Sequence, residues 1–468
     1  MAQITRRRFI GRLTAGASAL ALQGCMNSID HLSEEPVARK PNIIYILADD
    51  LGYAELGCYG QKKIRTPHLD QIAAEGMRFT QHYSGSPVCA PSRCVLLTGK
   101  HTGHSYIRSN YEMGGWGPDE PEGQLHIPAD TVTLSKLLQT AGYTTGAMGK
   151  WGLGGPDTSG EPNRQGFDHW YGYLCQRVAH NYYPTHLWRN TEKDILANEY
   201  FGAHQKLPED RDPHDKASYF EYSGEQYSVD LMVDEALEFI KTNKDNPFFL
   251  YLPFPVPHVA LQVPEDSLAE YEGTFPETPY KGEKSYLPHR APRAAYAAMI
   301  TRMDKHIGRI MDLVKELGLD DNTLVMFSSD NGPTFNGGTD SAFFESAGPL
   351  RGLKASLYEG GIRVPMIARW PGKIKSNSIT DHPSAFWDVL PTITELMGID
   401  APQDIDGISF LPTLLQKQNQ KTHDYLYWEY NGAQALRMGD WKTYRRRVNQ
   451  PIELYNLVVD HVSIALGA

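Results

Sequence analysis

Ile43-Ile44-Tyr45-Ile46-Leu47-Ala48 is a continuous apolar run that stops on Asp49-Asp50. A short run of this kind, rich in β-branched and aromatic residues, reads as a strand buried on both faces, as in a parallel sheet. Residues 143–148, 248–252 and 323–327 have the same form. Helical patterns lie between these runs. Residues 132–141 lead into Gly142, residues 229–240 are amphipathic, and Ile300, Met303, Ile307, Ile310, Val314 and Leu317 recur at helical spacing before Gly318. This alternation predicts an α/β fold: a large, mostly parallel sheet sandwiched by helices. Towards the C-terminus, residues 425–429, 435–438, 441–445 and 453–457 read as short strands, predicting a small antiparallel subdomain packed beside the sheet. Residues 154–216 are rich in Pro, Gly, Asn, Tyr and His with weak periodicity, and are expected to be an irregular segment that shapes a binding site.

Each of the four buried strands runs into residues that an apolar core rejects: Asp49-Asp50, Lys150, His258 and Asp330-Asn331-Gly332. Ligands of open parallel sheets bind outside the carboxyl ends of the strands, so these ends predict one shared site. Asp49, Asp50, Asp330 and Asn331 offer only oxygen donors, which suit calcium or magnesium, and adjacent carboxylates are costly without a cation. Either pair alone reads as ordinary turn chemistry after a strand. Their recurrence at equivalent strand ends argues for the metal. Between them comes Cys89-Ala90-Pro91-Ser92-Arg93, in which Pro91 suits a first helical turn. Cys89 is therefore expected at a helix start, where free amides favour an anion and a bare thiol would be activated. By itself the run reads more readily as a helix entry with a buried cysteine.

The chain has 468 residues, 41% of them apolar, and a formal net charge of -11, so it can bury a large core but offers no basic stripe for nucleic acid. An anionic substrate must be drawn in by a local cation cluster. At the N-terminus, Thr5-Arg6-Arg7-Arg8-Phe9-Ile10 precedes an apolar stretch, residues 13–22, that is too short to span a bilayer. It resembles a twin-arginine export signal, and Leu22-Gln23-Gly24-Cys25 resembles a lipoprotein processing site in which Cys25 is lipidated. The expected organisation is a signal over residues 1–25, a tether over 26–40, a catalytic domain over 41–415 and the small β subdomain over 416–468. An exported protein follows, periplasmic or lipid-anchored, touching a membrane only through that anchor. Cys58, Cys89, Cys94 and Cys175 show no zinc-like spacing and no disulfide framework.

Taken together, these motifs resemble the type I sulfatases of the alkaline phosphatase superfamily. Cys89-Ala90-Pro91-Ser92-Arg93 with downstream Leu97-Thr98-Gly99 is similar to the family's modification motif, and Gly142-Tyr143-Thr144-Thr145-Gly146-Ala147-Met148-Gly149-Lys150-Trp151 to its second signature. Asp49-Asp50, Asp330-Asn331-Gly332 and Leu350-Arg351-Gly352-Leu353-Lys354 follow in the family's order. The resemblance implies that a formylglycine-generating enzyme oxidises Cys89 to formylglycine, whose hydrate offers one hydroxyl to attack sulfur and a second to expel sulfate. It implies Asp49, Asp50, Asp330 and Asn331, with the residue-89 oxygen, as ligands of calcium or magnesium. Arg93, Lys150 and Lys354 become the cation cluster, and His258 the group that binds sulfate and protonates the leaving alcohol.

Two positions depart from the family pattern. Gly152 stands where the family commonly has a histidine, leaving His101, His104 and His180 as candidate replacements, and residues 458–468 lack the usual closing element. Arg108 and Asn110, with Trp116, Tyr182, Tyr183 and Trp188, suit sugar hydroxyls and faces. The favoured substrate is a sulfated carbohydrate. A small aryl sulfate, a phosphate or phosphonate ester, and a catalytically inactive glycan-binding lipoprotein are the alternatives.

Overall fold

The computed structural model describes residues 39–115, 117 and 120–459; Cys25, the signal-like segment, most of the tether, Trp116 and the last residues lie outside them. From Lys40 onward the chain forms one compact unit. Strands β1 (Asn42–Ala48), β2 (Met77–Tyr83), β3 (Thr144–Lys150), β4 (His169–Tyr173), β5 (His186–Arg189), β6 (Glu192–Ile195), β7 (Phe248–Pro253), β8 (Thr323–Ser329), β9 (Arg363–Arg369), β10 (Ser378–Thr380) and β11 (Ser384–Ala385) build one sheet. Its order is β10-β2-β9-β8-β1-β7-β3-β4-β5-β6, with β11 on β2. β8, β1, β7, β3 and β4 are parallel, whereas β9, β5 and β6 run antiparallel to their neighbours. The four apolar runs read from the sequence are thus adjacent strands in the order β8-β1-β7-β3.

Both faces of this centre are covered, which is why its strands show no polar alternation. Ile44, Ile46, Leu250, Leu252, Val325 and Phe327 pack with the helices Pro67–Glu75, Ser228–Asn243 and Pro292–Glu316. Ile43, Tyr45, Leu47, Phe249, Tyr251, Leu324 and Met326 pack with Cys89–Thr98, Leu134–Thr140 and Val389–Met397. The longest helix starts at Pro292, two turns before the first expected apolar position. Its added turns are built around Ala294, Ala295, Ala297 and Ala298, good helix formers that carry little amphipathic signal. The helix read at residues 132–141 is shorter, Leu134–Thr140, because the Thr133 hydroxyl accepts the Lys136 amide and caps it.

The segment expected to be irregular, residues 154–216, is partly sheet: it supplies β4, β5 and β6. A glycine concealed that signal. Gly172 has φ +152°, and a Cβ there would lie 1.9 Å from the Gly149 carbonyl oxygen, so two glycines let β4 close onto β3.

β12 (Leu426–Tyr430), β13 (Ala433–Met438), β14 (Trp441–Arg445) and β15 (Glu453–Asn456) form an antiparallel meander, the expected C-terminal sheet. Trp428, Ala435 and Tyr444 join the core on the Cys89 side of the main sheet. Buried Lys442 donates to Glu359 at 2.8 Å, Tyr83 donates to the same carboxylate at 2.7 Å, and the Trp428 indole donates to the Ser84 carbonyl at 2.9 Å. The small sheet is therefore fastened to β2 and to the chain that leads into Cys89.

Glu359→Ala would strand Lys442 as a buried, uncompensated charge and is expected to cost about 3–5 kcal/mol, read from the urea midpoint. Glu359→Gln combined with Lys442→Met is expected to cost less. Although burial pushes the Glu359 carboxyl up, Lys442 and Arg363 hold it at about 2, below its usual 4.5. Its folded value is depressed, so this stabilisation is full above pH 4.5 and is lost as pH falls towards 2.

Candidate active site

Cys89 opens the helix Cys89–Thr98, directly after extended Val88, while Gly99 closes the helix at φ +70°. That places the Cys89 thiol over the carboxyl ends of the central strands. It donates to Asp49 Oδ1 at 3.1 Å, and the ammonium groups of Lys150 and Lys354 approach its sulfur at 3.9 and 3.7 Å. Asn110 Oδ1 accepts the Ala90 amide at 3.0 Å, which fixes the first turn.

Around the sulfur lie three carboxylates and three cations. Lys150 Nζ is 2.6 Å from Asp49, Arg93 reaches Asp49 at 3.0 Å and Asp330 at 2.9 Å, and Lys354 is 2.7 Å from Asp50. Arg93 also donates to the Lys150 carbonyl. All are buried except Lys354, whose side chain keeps 14% exposure and marks the open side. His258 Nε2 stands 3.7 Å from Asp50. The backbone serves the cluster as well: Asp50 turns at φ +67° and its amide donates to Asp330 Oδ1 at 3.1 Å.

Burial pushes Asp49 up, but Lys150, Arg93 and Lys354 together hold it at about 2. Asp330, pushed up by burial and then by Asp49, lies at about 7, and burial raises Asp50 against the pull of Lys354. The Cys89 thiol is raised well above its ordinary value, by burial and then by Asp49. The expectation of an activated thiol is thus overturned, because burial, and after it the Asp49 carboxylate, outweigh the pull of Lys150 and Lys354. An unmodified cysteine here is a poor nucleophile. His258 is driven towards the neutral form by burial and by Lys354 and Lys150.

Asp49, Asp50, Cys89 and His258 present donor atoms within 4.8 Å of one another. Beside them, Asn331 Nδ2 donates to Asp50 at 2.8 Å, while Asn331 Oδ1 is buried without a partner among the described residues. An orphaned acceptor beside paired carboxylates fits a hard divalent cation, as the sequence implied.

The structure separates the other candidates. His180 stacks on His258 with ring centroids 4.9 Å apart, and so borders the cluster. His101 and His104 stack on each other and approach Asp406 at 3.5 and 2.8 Å, next to Tyr427 of β12. His101 Nδ1 accepts the Gly103 amide, which leaves no free lone pair for a second role. Arg108 is held by Glu429 at 2.6 Å and by the Ser105 and Gly103 carbonyls. Tyr182 donates to the His258 carbonyl at 2.6 Å, and the Trp188 indole donates to Glu122.

At Gly152, φ is +85° and a Cβ would meet Gln176 Nε2 at 2.7 Å. The space of a side chain at 152 is taken by the Gln176 amide, whose two polar atoms are buried without partners among the described residues. Sequence reading missed Gln176, His204 and Tyr286. Tyr286, at φ +65°, lies over His180, His204 and His258. These residues sit on loops that belong to no motif, and only a folded chain brings them here.

Comparison with known proteins agrees with this geometry. Residues 41–399 match the model of the sulfatase family, and residues 353–456 match the model of the N-sulphoglucosamine sulphohydrolase C-terminal region. Rat steryl-sulfatase is 30% identical over 83% of this chain and 72% of its own length. Rat N-acetylgalactosamine-6-sulfatase is 31% identical over 86% and 71%. The solved structure of Ps i-CgsB in complex with k-i-k-neocarrahexaose superposes with a TM-score of 0.71 at 30% identity, over 90% of this chain and 87% of that one. The chain belongs to the sulfatase family, the type I sulfatases of the alkaline phosphatase superfamily, and is a sulfuric ester hydrolase.

Proposed function

We propose that this sulfatase removes sulfate from a sulfated carbohydrate, with Cys89 matured to formylglycine by a formylglycine-generating enzyme and with calcium, or magnesium, as its metal. The observation that carries the reading is the placement of Cys89 Sγ between Asp49 at 3.1 Å and the ammonium groups of Lys354 and Lys150 at 3.7 and 3.9 Å. A carbohydrate substrate is supported by the similarity to Ps i-CgsB, whose solved complex holds a neocarrahexaose.

Asp49, Asp50, Asp330 and Asn331 would hold the metal, which supplies Lewis-acid stabilisation of charge on the sulfuryl oxygens. A formylglycine hydrate at position 89 would bring the paired hydroxyls that an unmodified, buried thiol lacks. The chain's own residues do the rest. Lys150 and Lys354 flank position 89 and orient its oxygens. Together with Arg93 they balance the three carboxylates, so a divalent cation leaves the site with a positive excess suited to sulfate. His258, beside Asp50 and the open side, would take up a proton at Nε2 once the bound sulfate offsets the charge of Lys354 and Lys150, and would pass that proton to the departing alcohol oxygen, while its stack with His180 and the contact of its Nδ1 with the Val259 carbonyl hold the ring in place. The Gln176 amide, in the space beside Gly152 and with both polar atoms unpartnered among the described residues, would hold a water or hydroxyl during sulfate release. Export through the twin-arginine-like signal, with Cys25 as a lipid anchor, would place this chemistry in the cell envelope.

Mass spectrometry of the Cys89 peptide from the native host is expected to show the formylglycine mass, coupled to sulfate release from sulfated galactans or glycosaminoglycans. An intact thiol without turnover would sink the mechanism, and phosphate release exceeding sulfate release would move the protein to phosphoryl chemistry. Cys89→Ala is expected to abolish turnover, and His258→Ala to lower kcat by about 10²–10⁴-fold with the thermal midpoint of the metal-loaded protein retained. Calcium is expected to raise that midpoint in a concentration-dependent way and chelation to reverse it. A flat response would count against the metal assignment.

A further inference from the structure

Next to the carboxylate cluster, but not within it, lies a cavity of about 260 Å³ formed by the chain around β5 and β6. Two ring contacts link it to the reaction centre. His204, in its wall, shares a hydrogen bond of 3.0 Å with His180, and His180 stacks on His258. Its volume is near the lower bound for pockets that take a small organic ligand.

The lining has an unusual charge arrangement. Arg177 is half-buried in the wall, and no carboxylate among the described residues pairs with its guanidinium. Lys193 is also without a carboxylate partner among the described residues, and its ammonium lies 5.5 Å over the Trp188 ring. Glu122, the acid of the wall whose side chain is buried, is already engaged by His186 and by the Trp188 indole. Glu120, exposed on the rim and without an ion-pair partner among the described residues, can accept hydroxyl groups. Tyr200, half exposed, and Phe201 add aromatic surface. His180 and His204 are both held towards the neutral form, first by burial, with Arg177 among the charges that add to it. The cavity is therefore lined by a guanidinium without a carboxylate partner among the described residues and by the uncharged His204 ring, which His180 contacts from behind. An anion there would meet Arg177 without competition, while aromatic faces and a rim carboxylate suit the ring and hydroxyls of a sugar.

We propose that this cavity binds the sugar next to the one that loses its sulfate, and that Arg177 recognises an anionic group, sulfate ester or carboxylate, on that neighbouring sugar. The proposal rests on the carbohydrate reading above and names the feature of the glycan that the enzyme selects. Arg177 is a specificity residue here and takes no part in the sulfate chemistry.

The test is steady-state kinetics of formylglycine-containing wild type, Arg177→Ala and Arg177→Lys. The probes are 4-nitrophenyl sulfate, monosulfated and disulfated carrageenan oligosaccharides, and glycosaminoglycan disaccharides before and after reduction of the uronate carboxyl. Wild type is expected to prefer the glycans with a charged neighbour. Arg177→Ala is expected to raise KM for those by about tenfold or more, the loss of one charge-assisted contact, and to erase the preference. Turnover of 4-nitrophenyl sulfate should be unchanged, and Arg177→Lys should restore part of the preference. Whether the disulfated or the uronate probes respond identifies the anion. Indifference of wild type to the neighbour's charge, a preference that survives Arg177→Ala, or equal loss on the aryl sulfate would each overturn the proposal. Turnover of the aryl sulfate but of no glycan would instead overturn the carbohydrate reading, and this inference with it.

Discussion

Six charged side chains, Asp49, Asp50, Asp330, Arg93, Lys150 and Lys354, are gathered around Cys89 with almost no access to water. Each ion removed from water carries a penalty of several kcal/mol, and only close pairing with opposite charges offsets it. The arrangement therefore has to be held rigidly, and the carboxyl ends of adjacent parallel strands do so. Asp49 and Asp50 leave β1, Asp330 leaves β8 and Lys150 ends β3, while Arg93 comes from the helix that Cys89 begins. The two packed faces of the sheet leave these ends little freedom to drift.

The same constraint holds the Cys89 thiol in its protonated form. A buried sulfur next to Asp49 stays protonated despite two nearby ammonium groups. A site built to stabilise an anion on a transferred group is poorly suited to stabilising one on sulfur at position 89. Chemical maturation of that residue resolves the conflict. The orphaned Asn331 oxygen beside the Asp49 and Asp50 carboxylates points the same way, since it leaves an unused acceptor where a hard cation would fit.

Around this fixed centre the remaining walls come from parts of the chain outside the central strands. The C-terminal meander contributes Trp428, Lys442 and Glu429, which fasten it to Ser84, Glu359 and Arg108 close to the Cys89 helix. The chain between β3 and β7 contributes Gln176, Arg177, His180 and His204, and the loop before the longest helix contributes Tyr286 at a left-handed φ. The reaction is thus set in rigid strand ends, whereas the groups that meet the rest of the substrate sit on loops.

The four central strands, the acid-rich strand ends and the helix start at Cys89 were legible in the sequence alone, because buried strands and turn chemistry leave local patterns that read without the fold. Family resemblance added Lys354 and the role of His258 on the strength of short motifs. The longest helix was read too short because alanines carry little amphipathic signal, and β4 to β6 were missed because β4 mixes Gly172 with aromatics while β5 and β6 are only four residues long, β6 being almost wholly polar. Only the tertiary structure decided that His180 borders the centre while His101 and His104 turn to Asp406, that Gln176 fills the space left at Gly152, and that Arg177 faces a cavity with no carboxylate partner among the described residues. Those facts depend on distances between residues far apart in the chain, which the packing of loops sets and no local pattern encodes.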